Sequence, residues 1–260
     1  MSQLKYHQQI LNLLGIELDM LASRVAIIKE RERACGIRFP ASVREWFAIE
    51  SAESLFYRKT NQDHLEELAS LGDPTDTAQG YLKVATENQG VVTWYVRLAE
   101  GDDPSVYESD NDWNDDLSKT NWRMSARTFT SFIFDMMSFQ HFGGWLSYMY
   151  LSAEDLWPGP NELGLLRDWL QEGPRIEAPD AIVYRFFNTR GMVTIRAAMP
   201  EHSAGATAVW EIVADEVEDL FEFAKKLWPV GTLSLTLKVE GGSPEWRAIG
   251  NEKILQRLRA

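Results

Sequence analysis

The chain has little of what disulfide-bonded, zinc-binding or membrane proteins need. Its 260 residues include a single cysteine, Cys35. One cysteine excludes an intrachain disulfide and a cysteine-based zinc site, and such low usage is typical of a reducing compartment. Because Cys35 stands between Ala34 and Gly36, at the expected end of a helix, we interpret it as a packing residue and not as a nucleophile.

Long apolar runs are also missing. Charged residues interrupt the apolar stretches well short of the roughly 20 residues that a membrane helix needs, and the N-terminal MSQLKYHQQI lacks the apolar core of a signal peptide. A hydrophobic content of 45% is still enough to build the core of one large or two small domains. We therefore expect a globular, cytoplasmic protein without a membrane partner.

The common catalytic signatures are absent. The sequence contains no Gly-x-Gly-x-x-Gly, phosphate-loop lysine, Gly-x-Ser-x-Gly or His-Glu-x-x-His motif. Its four histidines, His7, His64, His141 and His202, are scattered singly, so a histidine metal site would require the fold to bring them together. We expect no catalytic residue, no metal and no cofactor; a hydrolase that uses two of the 39 acidic residues is the remaining enzymatic alternative.

The densest cluster of side-chain oxygens, DNDWNDD, begins at Asp110. Asp110, Asp112 and Asn114 suit the first three ligand positions of an EF-hand calcium loop. Asp115, however, occupies the sixth position, where the loop requires glycine, and Asn121 occupies the twelfth, where it requires a bidentate glutamate. The EF-hand interpretation therefore fails.

Negative charge is concentrated in two segments. The net charge is -13; residues 100–119 sum to -7 and residues 211–226 sum to -4. The rest of the chain is close to neutral, which gives direct nucleic-acid binding little electrostatic support. A focused negative surface would instead attract a basic protein partner.

The hydrophobic pattern predicts an α+β fold with two domains, 1–155 and 160–260, joined by the Pro- and Gly-containing segment LWPGPNELG. In the first domain, the pattern predicts helices up to Cys35 with a break at Gly15, a short helix after Pro40, a further helix near 64–71, a loop at LGDPTDT, a β-hairpin that turns at 101–104, and a helix from Phe129. In the second domain it predicts helices at 162–171, 215–228 and 245–259 and strands at 182–188, 192–198, 206–213 and 232–239.

Three segments occur in the order found in the SUKH superfamily: FPASVREWF (39–47), ENQGVVTWYV (87–96) and GDDPSVY (101–107). They resemble that family's entry helix, its Asn-Gln-Gly…Trp strand and its Asp-Pro-Pro-Val hairpin, with Ser105 in place of the second proline. The matching residues are Pro40, Trp46, Phe47, Asn88 to Gly90, Trp94 and Asp103 to Val106. The resemblance covers about residues 16–145.

The resemblance implies a non-enzymatic α+β binding module. Most bacterial SUKH members resemble immunity proteins that neutralise a polymorphic toxin, often a nuclease, whereas a fungal branch regulates cell-wall synthesis. We therefore expect an immunity-type protein that neutralises a toxin by direct protein–protein binding. The alternative is an intracellular regulatory or scaffold module that binds an endogenous protein.

The acidic segment after the hairpin is the predicted partner-binding surface. A nuclease toxin needs a basic surface for phosphates, and a carboxylate-rich inhibitor would occupy it, with a tryptophan as aromatic anchor. The predicted residues are Asp102, Asp103, Asp110, Asp112, Trp113, Asp115 and Asp116. The alternative is a solvated hairpin tip, where Asp and Asn are favoured by turn geometry alone. We interpret the second acidic segment as the start of a helix, where carboxylates favour the helix dipole.

Overall fold

The computed structural model describes residues 4–110, 116–141, 149–156, 160–177, 181–198, 207–214, 216–227, 238–241 and 256. The chain divides into two compact units, Met1–Gln140 and His141–Ala260. Each unit contains an antiparallel sheet and helices, which confirms the predicted α+β class.

The first unit contains six helices and a five-stranded sheet of order β1-β2-β3-β4-β5 among its described residues. The helices are α1 (Gln8–Leu14), α2 (Ala22–Cys35), α3 (Ala41–Ala48), α4 (Ala52–Lys59), α5 (Pro74–Ala78) and α6 (Phe129–His141). The strands are β1 (His64–Leu65), β2 (Tyr81–Thr86), β3 (Val92–Arg97), β4 (Val106–Asp110) and β5 (Arg123–Ala126). Short 3-10 turns lie at Leu98–Glu100 and Leu117–Lys119.

Local sequence signals place the first three helices where the sequence predicted them. Gly15 and Gly36 end α1 and α2 in the left-handed conformation, with φ of 64° and 70°, which glycine adopts without steric cost. Pro40 precedes α3, and α3 buries Trp46 and Phe47 completely. These two aromatic side chains fix α3 in the core.

The predicted helix near 64–71 is wrong. His64 and Leu65 form β1, which pairs antiparallel with the edge of β2. Leu65, Leu68 and Leu71 are buried, so their three-residue spacing arises from an irregular segment that packs inward and not from a helix. The segment LGDPTDT is not only a loop either, because α5 begins within it at Pro74. The Asp73 carboxylate accepts a hydrogen bond from the Thr75 N–H at 2.7 Å at the start of that helix.

The second unit contains two helices and a seven-stranded sheet among its described residues, with strand order β12-β6-β11-β10-β9-β7 and with β8 also paired to β9. The helices are α7 (Pro160–Arg167) and α8 (Val217–Leu227). The strands are β6 (Met149–Leu156), β7 (Gln171–Glu172), β8 (Ile176–Glu177), β9 (Ala181–Asn188), β10 (Gly191–Ala198), β11 (Thr207–Ala214) and β12 (Lys238–Gly241). The core lies between the sheet and both helices and includes Leu166, Phe186, Ile195, Trp210 and Phe223.

The predicted linker, 156–164, lies inside the second unit. β6 precedes that linker and pairs with β11 and β12, and α7 begins at Pro160, within the linker itself. The predicted strands that became β9, β10 and β11 and the predicted helix that became α8 are confirmed. Of the predicted strand at 232–239, only its end is described, as the start of β12, and the predicted terminal helix lies outside the described residues except for Gln256.

Candidate functional site

The first sheet has one face in the core and one face that carries polar and aromatic side chains. On β3, Trp94 and Val96 are buried, and the Trp94 ring lies 5.5 Å from the ring of Phe132 on α6. The alternate residues project to the opposite face, and the cross-strand pairs Tyr81–Arg97, Lys83–Tyr95 and Tyr95–Tyr107 place their neighbours there too. We call this surface the outer face; it comprises Tyr81, Lys83, Tyr95, Arg97 and Tyr107.

Trp122 completes an aromatic group on the outer face. Its ring stacks on Tyr81, with centroids 4.6 Å apart and an interplanar angle of 17°, and it meets Tyr95 edge-on at 5.3 Å. The Trp122 indole N–H donates to the Leu117 carbonyl at 3.3 Å. The end of the β4–β5 connection therefore lies against the sheet, and it brings an indole to two tyrosines that are distant in sequence.

Arg97 links the aromatic group to a third tyrosine, Tyr107. Its guanidinium lies 4.0 Å from the centroid of Tyr107, and the Tyr107 hydroxyl donates to Glu100 Oε1 at 2.9 Å. Burial, followed by that bond to Glu100, raises the pKa of Tyr107. Arg97 Nη1 also lies 3.7 Å from Glu100 Oε1, so the arginine is held in place from two sides.

Three carboxylates lie beside the aromatic group. Burial, followed by the charges of Asp73 and Glu66, raises the pKa of Asp76 to about 6, and the nearby Lys83 ammonium opposes this shift. Lys83 Nζ lies 3.4 Å from Glu66 Oε2. Burial, followed by the charges of Asp76, Glu66 and Asp73, also raises the pKa of Tyr95 to about 12. Each of these carboxylates is therefore close enough to influence the aromatic group electrostatically.

We call these residues together the acidic-aromatic patch: Tyr81, Tyr95, Trp122, Glu66, Asp73 and Asp76. At neutral pH the charge on Asp76 is maintained against burial and against two like charges. A cation placed beside Asp76 would relieve this repulsion, since an opposite charge stabilises a carboxylate. Chemically, the patch suits the side chain of a lysine or arginine on another molecule.

Asp102 and Asp103, the first two residues of the predicted partner-binding surface, lie at the β3–β4 turn. Asp102 is exposed, and its carbonyl accepts a hydrogen bond from the Ser42 N–H at 2.9 Å, beside α3. Asp103 Oδ1 accepts from the Thr130 N–H at 3.0 Å, at the start of α6. Both residues therefore attach the β3–β4 turn to helices.

The other predicted acids lie around the β4–β5 connection. Asp110 ends β4 opposite Val92, and Asp112, Trp113 and Asp115 lie outside the described residues. Asp116 lies 2.8 Å from the Lys119 ammonium, and hydrogen bonds to Lys119 and Ser118 lower its pKa to about 2. The following residue, Leu117, donates its N–H to Gln79 Oε1 at 2.8 Å, which holds this turn against the end of α5.

Sequence reasoning missed the carboxylates of the acidic-aromatic patch. Two signals were available. Asp73 followed by Pro74 is a typical helix start, and Tyr81 and Tyr95 lie on strands in which apolar and polar residues alternate. Neither signal shows that α5 and β2 bring Glu66, Asp73 and Asp76 together.

The residues that carry the family resemblance have structural roles. Asn88 donates its side-chain amide to the Asn61 carbonyl at 2.6 Å, and its N–H donates to Asp63 Oδ1 at 3.1 Å. Gly90 adopts a φ of 73° in the turn before β3. Together with the buried Trp46 and Trp94, these residues determine the shape of the first unit.

No family model, curated protein or solved structure matches the chain. Within the described ranges, no group of three or more His, Cys, Asp or Glu side chains is arranged to hold a metal ion. In the same ranges, no helix is both long enough and apolar enough to cross a bilayer.

Proposed function

We propose that this chain is an immunity-type binding protein of the SUKH kind, which neutralises a basic toxin domain by covering it with the acidic-aromatic patch. The observation that carries the proposal is the position of Asp76. This half-buried carboxylate has two acidic neighbours and lies beside an aromatic group.

The aromatic half of the patch supports binding to another protein. Tyrosine, tryptophan and arginine supply most of the residues that dominate interface energies, because they bury a large area at a small entropic cost. Tyr81, Tyr95 and Trp122 are half-buried, so each ring is already held in place while part of its surface stays accessible. Such a preorganised surface loses little freedom on binding.

The carboxylates support a basic partner. The charges of Glu66, Asp73 and Asp76 act on Tyr95 and raise its pKa, and the whole chain carries a net charge of -13. A toxin that cleaves nucleic acid must hold phosphates on a basic surface, and an acidic inhibitor that covers this surface blocks the substrate. Long-range attraction would also raise the association rate at low ionic strength.

Co-expression with the product of an adjacent gene tests the proposal. Affinity-tagged full-length chain should co-purify with a basic toxin domain and restore the growth of cells that express this toxin. A chain that instead co-purifies with an endogenous protein, and that does not restore growth, would favour the regulatory alternative. If the chain neither co-purifies with the toxin domain nor restores growth when the toxin gene is expressed, the immunity function is contradicted.

A further inference from the structure

A second site lies on a different part of the first unit, between the N-terminal segment, α2 and α3. It is a cavity of about 340 Å³, within the range of roughly 300–1,000 Å³ of small-molecule sites. Its walls are mainly apolar and are formed by Met20, Val25, Ile28, Ala41 and Ala48. Binding in this cavity would therefore bury the apolar part of a ligand, which is favourable.

Cationic groups border this apolar wall. Lys5, Lys29 and Arg44 line the cavity, and a shallower depression that shares Lys29 with it is lined in addition by Arg33 and Arg38. Glu32, Glu45 and Asp102 also line the cavity, so its three cations are balanced by three acids. With Arg33 and Arg38 of the depression, five cations face three acids, a sum of +2 in a chain with a net charge of -13.

Two of the three acids that line the cavity are occupied by the chain itself. Glu45 Oε1 accepts from the N–H groups of Tyr6 at 2.8 Å and His7 at 2.9 Å, and its Oε2 accepts from the Lys5 N–H at 2.8 Å. Glu32 Oε1 accepts from the Phe39 N–H at 2.8 Å. These two carboxylates are engaged by backbone N–H groups, whereas the third acid, Asp102, is exposed. Among the cations, Lys5 Nζ donates to the Tyr6 hydroxyl at 2.9 Å, and Lys29 is exposed.

Arg44 shows where a ligand oxygen would bind. Its side chain is 29% exposed, so part of the guanidinium can be reached from solvent. Arg44 Nε lies 3.8 Å from Glu32 Oε1, which is close enough for an ion pair but too long for a hydrogen bond. An anionic headgroup at the exposed part of Arg44 would gain bonds between guanidinium and carboxylate or phosphate, which are among the strongest available.

We propose that this cavity binds a small amphipathic anion, whose carboxylate or phosphate group contacts Arg44, Lys5 and Lys29 and whose apolar body lies against Met20, Val25 and Ile28. The proposal is independent of the toxin-binding function, because the residues of this cavity and those of the acidic-aromatic patch do not overlap.

Isothermal titration calorimetry of the full chain tests the site with three probes below their micelle-forming concentrations: decanoate, octyl phosphate and decanol. Saturable, one-to-one binding of either anion, with decanol at least about ten-fold weaker, supports the proposal, and the stronger anion identifies the headgroup. No saturable binding of either anion, or equal binding of decanol, would overturn it.

Three variants locate the binding. Arg44→Gln and Lys29→Gln should each weaken anion binding about ten-fold, since each removes one charge-assisted contact, and Val25→Phe should fill the cavity and weaken all three probes. Arg58→Gln, which removes an exposed arginine of α4, is the matched control and should bind as the wild type does. Lys29 is exposed, so its variant tests the site even if Arg44→Gln unfolds. If the Lys29→Gln variant and the Val25→Phe variant both fold and both bind the anions with wild-type affinity, the proposed location is contradicted.

Discussion

The ring of Trp122 lies nearly parallel to the ring of Tyr81, with centroids 4.6 Å apart. This contact joins the end of the β4–β5 connection to β2, two segments that the sequence separates by about forty residues. It keeps an indole on the outer face, where the burial of an aromatic ring by a partner would contribute most to binding.

Trp122→Ala should therefore weaken binding of the co-purified partner by about 30- to 100-fold, which corresponds to roughly 2–3 kcal/mol. Surface plasmon resonance with the immobilised partner measures this change. Tyr57→Ala, which truncates an exposed aromatic residue of α4, is the control and should leave the affinity unchanged. Equal effects of the two variants would indicate that Trp122 is not part of the interface.

Partner binding should strengthen as pH rises through about 6, because Asp76 gains its charge in that range. A partner cation stabilises the charged carboxylate, so complex formation should release protons between about pH 5 and 7. Asp76→Asn should remove this pH dependence and weaken binding at about pH 8. Calorimetry in buffers of different ionisation enthalpy measures the protons released, and an identical proton release by the variant would refute the assignment to Asp76.

The same substitution should stabilise the free protein. Because the pKa of Asp76 is raised in the folded state, the folded chain holds more protons than the unfolded chain between about pH 4 and 6, and stability is lost as pH rises through this window. Asp76→Asn should therefore increase the free energy of unfolding at about pH 8 by on the order of 1 kcal/mol, a value reduced for partial exposure. Urea unfolding compares it with Asp168→Asn, an exposed acid of the second unit that should change little.

His7 should make the first unit sensitive to acid. It is buried between Trp46 and Phe129, and its Nε2 donates to the Ser42 carbonyl at 2.9 Å. Burial lowers the pKa of His7, although Ser42 and Glu45 oppose the shift. The folded state thus binds fewer protons than the unfolded state, whose histidine titrates near 6.5, and stability should be lost as pH falls below about 6.5.

His7→Gln should reduce this loss of stability between about pH 7 and 5, as measured by urea unfolding at each pH. The control is His64→Gln, which replaces an exposed histidine and should keep the wild-type profile. If the His7→Gln and wild-type proteins lose the same stability over this range, another group is responsible for the acid sensitivity.

Glu45 should be among the more sensitive positions of the first unit. Its buried carboxylate accepts three backbone N–H groups from residues 5–7 and so holds the N-terminal segment against α3. Glu45→Gln replaces one acceptor oxygen with a donor and should lower the free energy of unfolding by about 2–3 kcal/mol, since bonds to charged groups are the stronger ones. Glu50→Gln, at an exposed position, should stay close to wild type in the same urea titration.

The hairpin and the first helices could be predicted because their signals are local. The alternation in β3, the Gly-Asp-Asp-Pro turn, Gly15 and Gly36 each determine structure within a few residues. The prediction of a helix at 64–71 was wrong because an irregular segment that buries Leu65, Leu68 and Leu71 shows the same three-residue spacing as a helix.

The candidate site was beyond sequence reasoning for a different reason. The local density of acidic residues predicted a partner-binding surface that includes Asp102, Asp103 and Asp116. The structure places these three residues in turns and beside helix ends. The carboxylates of the acidic-aromatic patch are brought together by the pairing of β1 with β2 and by the packing of α5 on β2. The pairing of segments that are distant in sequence cannot be predicted from any one short segment.

The most direct test of the acidic-aromatic patch is the affinity of the triple variant Asp73→Asn/Asp76→Asn/Trp122→Ala for the co-purified toxin domain. Asparagine retains helix capping at position 73, so the fold should survive, which circular dichroism checks. Asp168→Asn/Glu218→Gln/Tyr57→Ala removes two charges and one ring elsewhere and serves as control. We predict that the patch variant loses at least about 100-fold in affinity and most of its salt dependence, while the control keeps both. Wild-type affinity in a folded patch variant would contradict the account.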